Sequence, residues 1–491
     1  MKNLLDASPS TTLIDQPSPD LRQWLREVEE LGQLQVIDGA DWRLEIGALA
    51  EMLCLTPQPR CLVFDNVKDY PAGWRVVNNP IPSPQAAAKA LSLPPAESHL
   101  ALVKAWRERS RNLRLLPAEV VADGPVFQNR MTGEAVDLMR FPTPVWHEDD
   151  GGRYIGTGDI VVTRDPDSGK VNVGTYRMQI QTRNQLGLYI APAQHGRLHR
   201  DKYFERGEPM PVVAAFGMHP LLFVASGLKL PLGVNELEWV GAVQGRPVQV
   251  IEGPVTGLPF PANAEIVIEG FVHPDSTIEE GPFGEFTGYY ASAMRKETYV
   301  RVEAVYYRDD PIILGSQVTR PPGESHHARR VIVDALTWEG LETAGVPDVR
   351  GVATLPSAVN GFIVIAIRQR YSGHAKQAGM IAAQTLGAQL GRYVVVVDDD
   401  IDPSNVDEVL WALWTRSEPA ESADVVRGCR SQPLDPRVPP EKRSIGDYAM
   451  SRMVIDATRP FHWREQFPKV VGTSPELQAK MRSKWGQDFF R

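Results

Sequence analysis

From about residue 154 to 318 the chain is written in short β-rich runs broken by glycine and proline, and this pattern constrains the fold more than any other feature. "DIVVTRDPDSGKVNVGTYRMQIQT" holds two such runs around "DPDSGK", whose Asp, Pro, Ser and Gly supply a hairpin turn. "PVQVIEG", "AEIVIEGFVH" and "TYVRVEAVYYRDDPIIL" add further strands. Many short strands with this punctuation predict an antiparallel, barrel-like central domain.

The pattern changes on either side. Leu21, Trp24, Leu25, Val28 and Leu31 recur at helical spacing after Ser18, a candidate N-cap with proline just inside. "RLEIGALAEML" and "ESHLALVKAWRERSR" read as helices and "CLVFDNV" and "WRVVNN" as strands, so residues 1–115 are predicted to form a small α/β unit. A loop rich in Pro, Asp and Gly follows over 116–153. Beyond "TRPPGESHH", helices from about Arg329, from Lys376 to Leu390 and over "SNVDEVLWALWTR" alternate with the strands "GFIVIAIRQ" and "RYVVVVDDDI". Nearly all-apolar strands need cover on both faces, which predicts a second α/β region over 321–491, ending in a helix capped by Ser474. The fold class expected is α/β (α+β multi-domain), with the barrel-like domain at 116–320.

With 491 residues the chain exceeds what one hydrophobic core usually organises. A net charge of -9 without long basic runs gives no footprint for a phosphate backbone, which argues against nucleic acid and leaves small molecules as partners. Cys54, Cys61 and Cys429 have neither the number nor the spacing of a disulfide framework or zinc knuckle, so a reducing compartment fits. The N-terminal stretch lacks a charged lead into a long apolar run, and no window of about eighteen residues is apolar throughout. A cytoplasmic protein without membrane contact is expected.

The chemistry concentrates in "EGPFGEFTGYY", Glu280 to Tyr290. "GPFG" cannot be regular helix or central strand, so the backbone turns sharply while carrying Glu280 and Glu285. A carboxylate near a cation stays ionised, and one in an apolar pocket is pushed toward the protonated form a general acid needs. In "VNVGTYRMQ", strict alternation sends Asn172 and Arg177 to opposite faces unless Gly174 marks a bulge. His195 and His199 are four apart, a spacing that suits a metal pair or a structural one. Glu236 and Glu238 follow a Pro/Gly turn, and solvated carboxylates are the default for both. Asp398, Asp399, Asp400 and Asp402 suit either a hard cation or the capping of the next helix by Asp402 or Ser404. His374 and Lys376 suit a phosphate contact or a loop entering a helix. Neither phosphate-binding glycine signature survives, and no G-x-S-x-G elbow occurs.

Taken in order, "NVGTYR", "QH", "PLGVNELEWVGA", "EGPFGEFTGYY" and "VDDDIDP" resemble the UbiD family of prenylated-flavin-dependent decarboxylases, over about residues 15 to 470. The resemblance implies a central split-barrel-like domain binding prenylated FMN and a C-terminal oligomerisation domain. It implies Arg177, Glu280 and Glu285 as the catalytic trio, with Glu285 supplying the proton that replaces CO₂. It implies a Mn²⁺ or Mg²⁺ ion held by Asn172, His195 and Glu236. It also implies a K⁺ ion near Val173, Ala225, Ser226, Leu228 and Glu236, partly through backbone carbonyls. Cofactor contacts fall on Asn172, Val173, Gly174, Thr175, Tyr176, Arg177, Gln194, His195, Ser226, Gly227 and Glu236.

Residues "QVTRPPGESHHARR" lie where family members shape the substrate pocket, which makes His326 and His327 candidate substrate contacts. An aromatic or heteroaromatic acid (indole-, pyrrole-, furan- or phenol-type) is the expected substrate and CO₂ the product, with a cinnamic or acrylic type as the alternative. An ordinary FMN oxidoreductase and a non-catalytic ligand-binding subunit are the competing readings. The resemblance further implies a flavin prenyltransferase as cofactor supplier and a homodimer or homohexamer.

Overall fold

Alternating valine and isoleucine put the middle of the chain into one ten-stranded sheet in the computed structural model. The structure describes residues 18–489 except 193, 231–232, 292, 323–325, 359–360, 386, 388–390 and 487–488. Along the sheet run Arg153–Gly156, Met178–Ile180, Gln185–Leu188, Arg295–Tyr307, Ile266–Val272, Met210–Phe216, Ile160–Arg164 and Val171–Gly174. Every pair is antiparallel, and Asn129–Thr132 and Ile278–Glu280 also pair with the long strand Arg295–Tyr307. The sheet curls into a half-barrel, as the strand pattern predicts. The "DPDSGK" hairpin forms as expected: Asp165 caps it by accepting from the backbone N–H groups of Asp167 and Ser168.

The first part of the chain builds a four-stranded sheet from Leu34–Asp38, Cys61–Asp65, Arg75–Asn78 and Ile312–Leu314, so the chain returns to it after the central sheet is complete. Its leading helix, Leu21–Glu30, is capped by Asp20 and not by Ser18. The Ser18 hydroxyl is diverted to long-range partners, the Gln249 backbone N–H and the Asn263 side-chain amide. The segment expected as a loop, 116–153, contains the strands Glu119–Val120 and Asn129–Thr132 and three single 3₁₀ turns.

The C-terminal sheet has the order Val349–Thr354, Phe362–Ile367, Tyr393–Asp398, Met450–Ala457, Ala423–Cys429. Its two faces are covered as the apolar strands require. Val394 and Val396 share a core with Ala375 and Ala378, whereas Val395 and Val397 pack with Val409 and Ala412. A Cβ on Gly379 would lie 2.3 Å from Val454 Cγ1, so glycine sets how closely that helix approaches the sheet. Three boundaries differ from expectation. The helix from about Arg329 begins at His327, and the helix expected over Lys376–Leu390 runs His374–Ala382, with Leu390 outside the described residues. The helix Val406–Arg416 is capped by Asn405, because Asp402 is already accepting from Ser404. The terminal helix Pro475–Trp485 is capped by Ser474 as expected and has no buried residue. Among the described residues no helix is long and apolar enough to cross a membrane.

One ion-paired cluster ties the first helix to the central sheet. Arg22 donates to both carboxylate oxygens of the buried Glu265 at 2.8 Å, and Arg308 approaches the same carboxylate at 3.3 Å. Arg22→Met is expected to cost about 3 kcal/mol, the low end for an orphaned buried charge because Arg308 remains. Urea unfolding checks this as a lowered midpoint with an unchanged slope.

Candidate active site

The strand Val171–Gly174 ends at Gly174, and Thr175, Tyr176 and Arg177 form a non-strand link to Met178–Ile180. This removes the objection from alternation, because Asn172 and Arg177 do not belong to one continuous strand. Arg177 Nε and Nη2 donate to the two oxygens of Glu280 at 2.9 and 2.7 Å, while Nη1 donates to Glu285 Oε1 at 2.7 Å. Glu280 ends its own strand, and the Tyr154 hydroxyl donates to its Oε1 at 3.1 Å. Gly281, at φ +89°, then reverses the chain so that Glu285 returns to the same guanidinium.

The three side chains sit in a water-poor enclosure, with relative exposures of 7% for Arg177, 0% for Glu280 and 10% for Glu285. The guanidinium carbon of Arg177 lies 4.6 Å from the Tyr189 ring centre and 5.7 Å from that of Phe283. Burial opposes the Arg177 charge, but Glu280 more than offsets it and holds the guanidinium above its ordinary range. Glu285 is the opposite case: burial pushes its carboxyl up to about 7, against the pull of Arg177. One arginine thus faces two carboxyl groups, Glu280 through two hydrogen bonds and Glu285 through one.

A second group converges nearby from three elements. Asn172 comes from a strand, while His195 and Glu236 are the first residues of the helices His195–Glu205 and Glu236–Gln244. Asn172 Oδ1 lies 3.2 Å from His195 Nδ1, and Glu236 Oε2 accepts from the Val173 backbone N–H at 3.3 Å. The Tyr176 hydroxyl braces this set, accepting from Asn172 Nδ2 at 3.3 Å and from the Gly196 N–H at 3.2 Å. Burial raises the Glu236 carboxyl to about 7. A half-buried carboxylate, an amide oxygen and an imidazole brought together in this way fit a hard divalent cation. His199 does not join His195; its Nδ1 meets the Thr163 hydroxyl at 3.0 Å.

These residues open onto a cleft of about 1790 Å³. Asn172, Val173, Gly174, Thr175, Tyr176, Gln194, His195, Ser226, Gly227, Leu228, Glu236, His326 and His327 all line it. Ala225 is buried behind the wall, its carbonyl accepting from the Leu228 N–H. Arg177, Glu280 and Glu285 do not line the cleft either; their chain neighbours Tyr176 and Phe286 do, which sets the trio just behind the wall. His326 and His327, both half-buried, are pushed down to about 3 by burial, with Arg329 the main cation acting on His326 and Arg330 on His327.

The aspartate run is structural. Arg416 pairs with Asp398 and Asp400, and Arg368 with Asp399. His374 is buried at a helix start and Lys376 pairs with Asp424 at 3.0 Å, so neither lines the cleft.

Sequence reasoning missed Tyr154 and Asp159. Asp159 is fully buried beside the 175–177 link, accepts from the Thr175 hydroxyl at 3.4 Å, and is pushed up to about 8 by burial. Its signal was a lone acid in "YIGTGDIVVT"; Tyr154, one aromatic at a strand end, gave none.

The 3-octaprenyl-4-hydroxybenzoate carboxy-lyase N-terminal, Rift-related and C-terminal domains of UbiD match residues 25–106, 119–321 and 326–457. The chain belongs to the UbiD family. A pyrrole-2-carboxylic acid decarboxylase of Pseudomonas aeruginosa is 33% identical over 464 residues, 91% of this chain and 92% of that protein. A phenolic acid decarboxylase of Streptomyces is 32% identical over 454 residues, 90% of this chain and 92% of its own length. Among solved structures, the UbiD-class enzyme HmfF from Pelotomaculum thermopropionicum in complex with FMN superposes with a TM-score of 0.82 at 30% identity, covering 94% of this chain and 98% of that one.

The link between the strand Val171–Gly174 and Arg177 leans on the packing of Tyr176. A Cβ on Gly174 would lie 2.4 Å from the Tyr176 hydroxyl and 2.5 Å from Cζ. Gly174→Ala is expected to destabilise by about 1–3 kcal/mol through overpacking. Adding Tyr176→Leu should recover part of that loss in a double-mutant cycle read by urea unfolding.

Proposed function

We propose that this UbiD-family chain is a non-oxidative, reversible decarboxylase of an aromatic or heteroaromatic carboxylic acid, working with prenylated FMN. The observation that supports it most directly is Arg177 bridging Glu280 and Glu285 in an enclosure directly behind the cleft. Relatives named for pyrrole-2-carboxylic and phenolic acids, and structures named for FMN and prenylated FMN, point the same way. Asn172, His195 and Glu236 would hold Mn²⁺ or Mg²⁺, which would favour binding of an anionic cofactor there. The carbonyls around Val173 and Ala225–Leu228 would hold K⁺.

When bound, the prenylated flavin supplies the electron sink that no side chain offers, since loss of CO₂ from an sp² carbon leaves electrons out of conjugation with the ring. The chain's own residues do the rest. Arg177 stays charged in the enclosure and orients the carboxylates around it. Exclusion of water disfavours a charged carboxylate at the reacting position and keeps the Glu285 proton from leaking to solvent. Glu285 carries a proton near neutral pH and delivers it to the carbon that has lost CO₂. His326 and His327, on the cleft wall, would contact a polar group of the substrate ring.

A flavin prenyltransferase would supply the cofactor, in the cytoplasm. Assembly as a homodimer or homohexamer is supported by the terminal helix, whose Leu477 and Trp485 are 47% and 55% exposed, and by the dimeric form reported for an evolved HmfF.

Glu285→Gln is expected to lower CO₂ release and solvent-deuterium exchange by at least about 10²-fold while retaining flavin. Asn172→Ala should lose the flavin itself, seen as loss of flavin absorbance after desalting. Because Glu285 donates only when protonated, wild-type turnover should decline as pH rises through about 7. A panel of loaded-enzyme assays on indole, pyrrole, furan, phenolic and cinnamic acids tests the substrate class, and turnover of the cinnamic type alone would overturn it.

A further inference from the structure

Arg295 falls outside every sequence motif, yet the antiparallel register sets it directly opposite Glu280. Its Nε lies 3.9 Å from Glu280 Oε2 and 3.3 Å from Glu297 Oε1. Its guanidinium carbon lies 3.6 Å from the centre of the Tyr189 ring, the ring that Arg177 also approaches at 4.6 Å. One tyrosine therefore stands against two cations, which favours both through its π face.

The two arginines differ in how they are used. Arg177 commits three nitrogens to carboxylate hydrogen bonds. Arg295 Nε and Nη2 are buried and make no hydrogen bond, so this cation acts on its surroundings through its charge. With Glu285 protonated, the two arginines balance Glu280 and Glu297. Ionising Glu285 leaves one uncompensated negative charge where the dielectric is low, and the cost of that charge depends on the nearest cations.

We propose that Arg295 is a positioning residue for the proton on Glu285: fixed by cross-strand register against Tyr189 and Glu280, its charge sets how firmly Glu285 keeps the hydrogen it delivers. The groups facing it are Arg177 from the link, Glu280 from the paired strand, Glu285 from the turn and Tyr189 from the end of Gln185–Leu188. Glu297 stands two residues along its own strand, and Arg197 and Arg200 of the helix His195–Glu205 face Glu297 in turn. The sign follows from Coulomb's law. Removing Arg295 makes Glu285 harder to ionise, and neutralising Glu297 leaves more of the Arg295 charge to act on Glu285. The functional consequence rests on the reading of Glu285 as proton donor.

The test is an infrared titration of the Glu285 carboxyl in the full-length protein without substrate, the band being identified by its loss in Glu285→Gln. Arg295→Met is expected to raise the midpoint by about one pH unit or more. Arg295→Lys should stay near wild type, and Glu297→Gln should lower the midpoint. Equal midpoints in wild type and Arg295→Met, or a raised midpoint in Glu297→Gln, would overturn the proposal. If Arg295→Met does not fold by circular dichroism, Glu297→Gln decides alone, and an unmoved midpoint there counts against the proposal. If the midpoints move as expected while the pH profile of CO₂ release by flavin-loaded enzyme stays fixed, Arg295 keeps its role and Glu285 loses its assignment as donor.

Discussion

The paired hydrogen bonds from Arg177 to Glu280 are the constraint on which the rest of the site depends. A guanidinium in so dry a place is tolerable only with a carboxylate matched to it in shape and charge, and the bidentate fork provides that match. Once Glu280 has taken two donors, Glu285 is left with a single hydrogen bond from Arg177 in a buried setting. Burial then pushes the Glu285 carboxyl up to about 7 against the pull of Arg177. The sharp turn at Gly281 brings both to one arginine, which a continuous strand or helix could not do.

Around this pair the fold works as a set of converging ends. The link bearing Arg177 leaves the strand that carries Asn172, and two helices begin at His195 and Glu236 beside it. Tyr176, sitting in the space left by Gly174 and Gly196, joins the amide side chain to one helix start. Asn172 and Arg177 thus stand at opposite ends of one six-residue segment, which joins the Asn172, His195 and Glu236 group to the arginine–glutamate cluster.

Much of this was legible in the sequence because it is local. The "GPFG" turn, the "DPDSGK" hairpin, the two-sided apolar strands and the Ser474 cap follow from a few neighbouring residues. The same local logic misplaced the cap of the first helix, since the Ser18 hydroxyl answers to Gln249 and Asn263, more than two hundred positions away. It also left Asn172 and Arg177 open between opposite faces and a bulge at Gly174, because periodicity cannot show that the strand stops at Gly174. Arg295 and Tyr154 were invisible for a related reason: their importance comes from strand register and from contacts with Glu280 over long separations. The aspartate run shows the converse, a conspicuous local pattern that the fold spends on Arg368 and Arg416.

The central claim is that this UbiD-family cleft serves a prenylated flavin beside a buried arginine and two unequal carboxyl groups. The most direct measurement is the mass and absorption spectrum of the flavin released from protein co-produced with a flavin prenyltransferase. The account predicts a flavin heavier than FMN by a prenyl-derived unit, with a correspondingly altered spectrum. Unmodified FMN together with turnover of a nicotinamide donor would contradict it.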